Sequence, residues 1–483
     1  MGAIPLVVDL DGTLLHSDML CESAVYCLST QPLAVTRLPI WLSRGKAYLK
    51  SRLAEDMDFD PSLLPYNLEL LNFLRCEYTS GRTLVLCTAT HEKLAQVIAD
   101  YLSIFSEVMG STTTVNLNGK VKGEALVARY GEGGFDYAGN SFTDLAVWMH
   151  ARRAIIVNAP SRLIKSVNDI IPVERLFAKS ESSTRAAWRA LRPHQWLKNI
   201  LIFAPCVAAH RINDLAVLWV LLLAFFAFGT CASSVYLLND LLDLENDRRH
   251  PSKCKRPLAA GALSIPSAAI LILFLLGASI AVASFVNLNF FILLTVYFCL
   301  TTIYSFVLKH VLLLDCIVLA ILYTLRVIGG WLTIDVPLSF WMLTFSVFLF
   351  LALAFLKRYA ELTIIAKTDT LKAPGRDYYV SDLPLLQSFG VSAAYTSVLV
   401  LALYLNSNTV QELYNQPMWL WLEIPVLTFW VSWLWMQAHR GRMDVDPVLF
   451  SIKNPTSLAC GVVFTLLLVA ASFIGSSGFS VGR

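Results

Sequence analysis

Charge is scarce in this chain, and its cysteines do not cluster. Asp, Glu, Lys and Arg supply 15% of the 483 residues against 56% hydrophobic, and mean hydropathy is +0.60. That balance excludes an ordinary soluble protein and points to a membrane class. A formal net charge of only +3 gives no bulk basicity to drive nucleic-acid binding, so no nucleic-acid partner is expected. The ten cysteines include no CxxC pair and no zinc-like spacing, and buried, reduced thiols are the expectation. No charged stretch precedes the first apolar residues, and Asp9 interrupts them early, so no signal peptide is expected. Solenoid-type repeats and low-complexity tracts are also missing.

What is present falls into two parts. Over residues 1–178 charges are interspersed, and short β-rich runs (Ile4 to Val8, Thr83 to Cys87, Ala154 to Val157) alternate with helical stretches. This is the pattern of an α/β domain with a parallel sheet. Residues 179–190, which begin small and polar, read as a linker. Residues 191–483 read as an all-α polytopic membrane domain of about nine spans, each near the length that ~30 Å of hydrocarbon demands. The expected spans are 196–210, 215–238, 266–285, 288–307, 312–333, 338–356, 386–405, 418–437 and 457–476. Lys and Arg accumulate in the loops after the even-numbered spans, whereas the opposite loops carry Arg211 alone. The positive-inside rule then puts the charged loops and the N-terminal domain on the cytoplasmic side of a cytoplasmic (inner) membrane.

The segment Asn239 to Gly261, NDLLDLENDRRHPSKCKRPLAAG, follows an apolar helix directly. If that helix continues, Asp240, Asp243 and Asp247 lie at i, i+3 and i+7 on one face, where their mutual repulsion calls for a cation. Mg2+ takes few carboxylates together with substrate phosphate oxygens, and His250, Lys253, Lys255 and Arg256 follow at once. Metal and basic cluster together suggest a substrate that bears a diphosphate. Tyr304 with Lys309, and Lys357-Arg358 with Glu361, are further ionisable groups at membrane boundaries and so functional candidates, with snorkelling or topology-setting as the plainer reading. Asp315 and Arg326 read either as ligand contacts or as a mutual ion pair.

These residues resemble the UbiA-type intramembrane prenyltransferase superfamily over about 190–476, with the NDxxDxxxD motif at Asn239 to Asp247. Within it the resemblance is greater to the decaprenyl-phosphate phosphoribosyltransferase branch. It is carried by Arg192-Pro193-x-Gln195-Trp196-x-Lys198-Asn199, by His250-Pro251-x-Lys253-x-x-Arg256-Pro257, by Tyr304-Ser305 with Leu308-Lys309-His310, by Lys357-Arg358-Tyr359-Ala360-Glu361 and by Asp446-Pro447-Val448. The second Asp-rich motif of the aromatic prenyltransferases is reduced here to Asp315 beside Lys309. The resemblance implies 5-phosphoribosyl 1-diphosphate as donor and a polyprenyl phosphate as acceptor. Mg2+ on Asp240, Asp243 and Asp247 would steady the leaving diphosphate, and Lys198, Lys357 and Arg358 would hold phosphate groups. Asn239, His250, Lys253, Arg256, Tyr304, Lys309, Arg326 and Glu361 complete the expected substrate site. The rival is a prenyltransferase moving a prenyl group from its diphosphate to an aromatic acceptor. Oligomeric state is left open, a homo-oligomer included.

After the strand Ile4 to Val8 comes Asp9-Leu10-Asp11-Gly12-Thr13, with two carboxylates two residues apart at a strand end, suited to nucleophile and acid/base work. Over about 1–175 the chain resembles the haloacid-dehalogenase (HAD) phosphatases. That resemblance implies Asp9 as nucleophile, Asp11 as acid/base, Thr88 as phosphate-binding hydroxyl, Lys122 as charge stabiliser, a helical cap over about 20–70, and Mg2+ held among Asp9, Asp11, Asn140 and Asp144. Asn140 stands where the family has Asp, which removes a charge from the metal set. The implied substrate is the phosphorylated lipid product of the membrane domain. A retained fold with a regulatory role is the alternative.

Overall fold

Three aliphatic residues, Leu6–Val8 (β1), start a six-stranded sheet in the computed structural model, which describes residues 4–178, 181–334, 339–367, 371–373, 375–443 and 446–473. The other strands are β2 (Leu84–His91), β3 (Glu107–Ser111), β4 (Asp136–Gly139), β5 (Ala154–Val157) and β6 (Val173–Phe177). Their order is β3-β2-β1-β4-β5-β6, and all neighbours are parallel. β1, β4 and β5 are buried along their whole length, as a sheet covered on both faces requires and as the unbroken apolar runs of β1 and β5 foreshadow. The chain leaves β1 toward β2 on one side, and β4 lies on the other. The carboxyl ends of β1 and β4 therefore form the switch point where such sheets bind ligands. Helices Met19–Thr30, Leu38–Ser43 and Lys46–Asp56 stand where a cap over about 20–70 is expected.

The expected linker is partly helical. Ser183–Leu191 forms a helix whose N-terminus is capped by the Ser182 hydroxyl, which accepts from the Arg185 N–H at 3.4 Å. Lys179 and Ser180 lie outside the described residues.

Among the described residues, eight helices rather than nine are long and apolar enough to cross a membrane: Leu215–Leu242, Ile265–Val286, Leu288–Phe306, Leu314–Ile334, Phe340–Ile365, Val380–Leu405, Pro417–His439 and Pro455–Ser472. They make the chain a multi-pass integral membrane protein. The span expected at 196–210 is instead a 3-10 helix, Pro193–Phe203, followed by the short helix Ala204–Ala208. Close packing explains the difference. A Cβ on Gly229 would meet the Trp196 ring at 2.7 Å, and one on Gly330 would meet the Ile202 carbonyl oxygen at 2.0 Å. The Trp196 indole N–H also donates to Ser233 Oγ at 2.9 Å. The segment is seated on the Gly229 and Gly330 helices through its backbone and its tryptophan.

The chain divides into two compact units, Met1–Arg192 with Tyr236–Phe274, and Pro193–Val235 with Leu275–Arg483. The acidic segment thus belongs to the same unit as the N-terminal α/β domain, although in sequence it reads as part of a membrane domain over 191–483. Two long-range contacts hold it there. Arg248 makes a bidentate ion pair with Glu22, and Gly261, at φ +70°, sits so close to His16 that a Cβ would lie 2.5 Å from the His16 Cβ.

Candidate functional site

Asn239 and Asp240 occupy the last turn of the Leu215–Leu242 helix, and Asp243 is the break before the short helix Leu244–Arg249, at φ −91° and ψ 16°. The helical hydrogen bonds carry on across that break. The Asp243 N–H donates to Asn239 O at 2.9 Å and the Asp247 N–H to Asp243 O at 2.8 Å. The near-helical path brings two of the three motif carboxylates together. Arg256 Nη1 donates to Asp240 Oδ1 at 3.0 Å and to Asp247 Oδ2 at 2.6 Å, and Arg192 Nη2 bonds both oxygens of Asp240 at 2.6 and 2.7 Å. Asp240 and Asp247 are each 3% exposed. Burial raises the Asp247 carboxyl above its ordinary range, against the pull of Arg256.

Two buried carboxylates that converge on one guanidinium nitrogen can converge equally on a metal ion, and oxygen-only donors suit Mg2+. The donor set therefore fits. Among the described residues, however, no three His, Cys, Asp or Glu side chains are gathered as a ligand group, so Asp243 is not brought to the same point. Arg192, which in the sequence only opens a motif, is a direct partner of Asp240. His250 acts locally, its Nδ1 accepting from the Ser252 and Lys253 N–H groups at 3.2 and 3.4 Å and turning the loop. Lys253 is exposed and Arg256 half-buried.

In the other unit, Lys198 Nζ lies 2.5 Å from Asp446 Oδ2. Asp446 also caps the Pro447–Lys453 helix, accepting from the Val448 and Leu449 N–H groups at 3.1 and 3.3 Å. Burial works against the Asp446 charge, but Lys198 and Lys357 outweigh it and hold its carboxyl below the usual range. Arg326 is not the partner of Asp315. It donates to Asn199 Oδ1 at 2.9 Å and to the Tyr297 hydroxyl at 2.8 Å and lies over the Tyr297 and Tyr323 rings. The Asn199 side-chain amide nitrogen is buried with no acceptor, a donor available to a ligand.

Asp315 instead meets Arg358 Nε at 2.7 Å, Arg376 Nη1 at 3.1 Å and the Tyr378 hydroxyl at 2.5 Å, and Arg358 also pairs with Glu361. With Arg358 fully buried and ion-paired with two carboxylates, the geometry gives it a scaffold role rather than the phosphate contact expected of it. Glu361 faces Arg358 and, at 3.7 Å, Arg376. Lys309 lies half-buried in the turn Leu308–His310, and Tyr304 is half-buried near the end of the preceding helix. An open cavity of about 470 Å³ lies beyond, lined by His310, Lys372 and Arg376 among others.

At the switch point of the sheet, Lys122 Nζ donates to Asp9 Oδ1 at 2.6 Å and to the Tyr137 hydroxyl at 3.1 Å. Burial pushes Asp9 up to about 7 in spite of Lys122. Asp11 accepts from the Met19 N–H at 2.8 Å and from the Thr90 hydroxyl at 2.7 Å, with the Thr88 hydroxyl farther away at 3.4 Å; burial takes it to about 6. Asn140 packs on Gly12, where a Cβ would meet its Nδ2 at 2.0 Å. Asp144 is placed otherwise than as a metal ligand. Its Oδ2 accepts from the Asn140 and Ser141 N–H groups and the Ser141 hydroxyl, and its Oδ1 from the Tyr137 hydroxyl at 2.8 Å. It therefore holds the turn that presents Asn140. Thr90 and Tyr137 join this site without having stood out in the sequence.

Residues 200–452 match the model of the UbiA prenyltransferase family. The protein y4nM of Sinorhizobium fredii is 33% identical over 98% of this chain and 90% of its own length. The nodulation protein NoeC of Azorhizobium caulinodans is 35% identical over 58% of this chain and 91% of its own. The decaprenyl-phosphate phosphoribosyltransferase of Corynebacterium glutamicum is 30% identical over 58% of this chain and 85% of its own.

Proposed function

This chain belongs to the UbiA prenyltransferase family, and from that premise we propose that it transfers 5-phosphoribose from phosphoribosyl diphosphate to a polyprenyl phosphate, of decaprenyl type, on the cytoplasmic side of the inner membrane. The observation that carries this reading is the convergence of the buried Asp240 and Asp247 carboxylates on one cationic centre. The activity named for the Corynebacterium glutamicum relative supports it.

Asp240 and Asp247, with Asp243 between them in the motif, would hold Mg2+, which supplies neutralisation of a leaving diphosphate as C1 of the ribose gains positive character. Arg192 and Arg256 balance the same carboxylates and would offer their guanidinium groups to phosphate oxygens. Lys198 and Lys357 offer ammonium groups to phosphate, while Asp446 orients Lys198. The acceptor phosphate is already anionic and attacks C1 without a strong general base. The N-terminal domain, with Asp9 as nucleophile, Asp11 as acid/base, and Lys122 and Thr88 around the phosphate, would then remove the 5-phosphate from the lipid product. Its placement of Asp9 at the switch point beside Lys122 supports that role.

The test offers the purified full chain two substrate pairs in the presence of Mg2+: phosphoribosyl diphosphate with polyprenyl phosphate, and prenyl diphosphate with an aromatic acceptor. Transfer of labelled ribose to lipid is the expected result. Turnover of the prenyl pair alone would establish the rival activity.

A further inference from the structure

Arg248, which follows Asp247 directly, reads in the sequence as one more charge marking the cytoplasmic side. In the fold it is 8% exposed at the side chain and tied on two sides. Its Nη1 and Nη2 donate to Glu22 Oε2 and Oε1 at 3.0 and 2.7 Å, and its Nε donates to Ala259 O at 3.1 Å. Glu22, 5% exposed at its side chain, lies in the first turn of the Met19–Thr30 helix and also accepts from the Ser17 hydroxyl. That helix begins at Met19, whose N–H donates to Asp11. One helix thus touches the acid/base candidate of the N-terminal domain at one point and, through Arg248, the short helix that carries Asp247. The contact around it is apolar and close: Val25, Tyr26, Met57 and Phe59 line one cleft with Leu242 and Leu244. Gly261 against His16 closes the far side of the same loop.

We propose that Glu22 and Arg248 are a positioning pair, through which the first cap helix of the N-terminal domain sets the place of Asp247 and thereby the metal affinity of the acidic motif. The proposal rests on the reading of Asp240 and Asp247 as metal ligands. A buried bidentate pair fixes both distance and angle, which a single ammonium contact would not. Without Glu22 the Arg248 guanidinium is left buried with one carbonyl partner, a costly state that the loop relieves by moving. Movement of the residue next to Asp247 breaks its convergence with Asp240. Groups that orient metal ligands from outside the coordination shell typically govern affinity by ~10- to 100-fold. The same linkage makes the N-terminal domain part of the scaffold of the transferase motif, whatever phosphatase activity it has.

The test uses the full chain in detergent or nanodiscs and reads Mn2+ binding by electron paramagnetic resonance, with the signal lost in Asp247→Asn taken as that of the acidic motif. Glu22→Gln and Arg248→Glu are each expected to weaken that binding about tenfold or more, and the exchanged pair Glu22→Arg with Arg248→Glu to restore it to within about threefold. Hydrogen exchange is read in parallel. The singles should lose protection over residues 244–261 while β1 and β2 keep theirs. Wild-type Mn2+ affinity in Glu22→Gln, loss of protection in the strands as well, or an exchanged pair that folds without recovery would overturn the proposal. If wild type and Asp247→Asn bind Mn2+ alike, the metal reading itself has failed, and exchange over 244–261 alone decides whether the pair positions the loop.

Discussion

Arg256 Nη1 lies 3.0 Å from Asp240 and 2.6 Å from Asp247, so one guanidinium stands between the two carboxylates that would hold a metal. Replacing it with methionine leaves two buried carboxylates with Arg192 alone to offset them. Breaking such a buried pair costs about 3 kcal/mol. Arg256→Met is therefore expected to unfold more readily than wild type without divalent cations and to recover most of the difference when Mg2+ is added. A thermal melt of the full chain across a Mg2+ titration measures this. A variant insensitive to Mg2+ would count against metal binding at these carboxylates.

The Lys198–Asp446 pair carries a pH signature. Lys198 and Lys357 hold the Asp446 carboxyl below its ordinary value of 3.8 in spite of burial. The stabilisation is then present above that value and lost as pH falls through the lower, folded one. Asp446→Asn should be less stable than wild type near neutral pH by about 3 kcal/mol, with the gap closing below about pH 4. Denaturant unfolding at a series of pH values reads it, and a gap independent of pH would contradict the assignment.

Asp11 has the opposite sign. Burial raises its carboxyl from 3.8 to about 6, so its contribution to stability is fully present below 3.8 and is lost as pH rises through about 6. Asp11→Asn removes that dependence. Relative to wild type it should gain protection between about pH 4 and pH 7, by roughly 1–2 kcal/mol, read as slower exchange of the β1 amides. Loss of protection at pH 8 would show that the charge is better compensated than its surroundings indicate.

Adjacent residues should separate in function. Lys357 lies near Lys198 and Asp446, whereas Arg358 is ion-paired with Asp315 and Glu361 in the interior. Lys357→Ala is expected to lower transfer more than about tenfold while the chain remains folded. Arg358→Ala should reduce the yield of folded protein, since the buried Asp315 and the half-buried Glu361 lose a partner at a cost of about 3–5 kcal/mol. Fluorescence-detected size exclusion beside a transfer assay distinguishes them.

Much of the fold is legible in the sequence. The Leu6–Val8 run ending in Asp9, the apolar spans from Leu215 onward and the helical spacing of Asp240 and Asp247 are local patterns, and local patterns survive folding. Interactions between residues far apart in sequence were not legible. Nothing near Asp315 marks Tyr378 or Arg376 as its partners, and nothing near Arg248 marks Glu22. The segment after Trp196 has the composition of a span, but close packing at Gly229 and Gly330 makes it a 3-10 helix. Thr90 lies within the phosphatase-like motif, yet only the geometry of β2 shows that its hydroxyl is nearer Asp11 than that of Thr88.

Metal-assisted transfer at the acidic motif is the activity on which everything above depends. It is tested most directly by following label from phosphoribosyl diphosphate into polyprenyl phosphate as Mg2+ is varied, in wild type and in Asp247→Asn. Transfer should need Mg2+ in wild type and fall by at least about 100-fold in the variant, a barrier increase of about 2.7 kcal/mol. Equal rates in the two chains, or transfer undiminished when divalent cations are chelated, would contradict it.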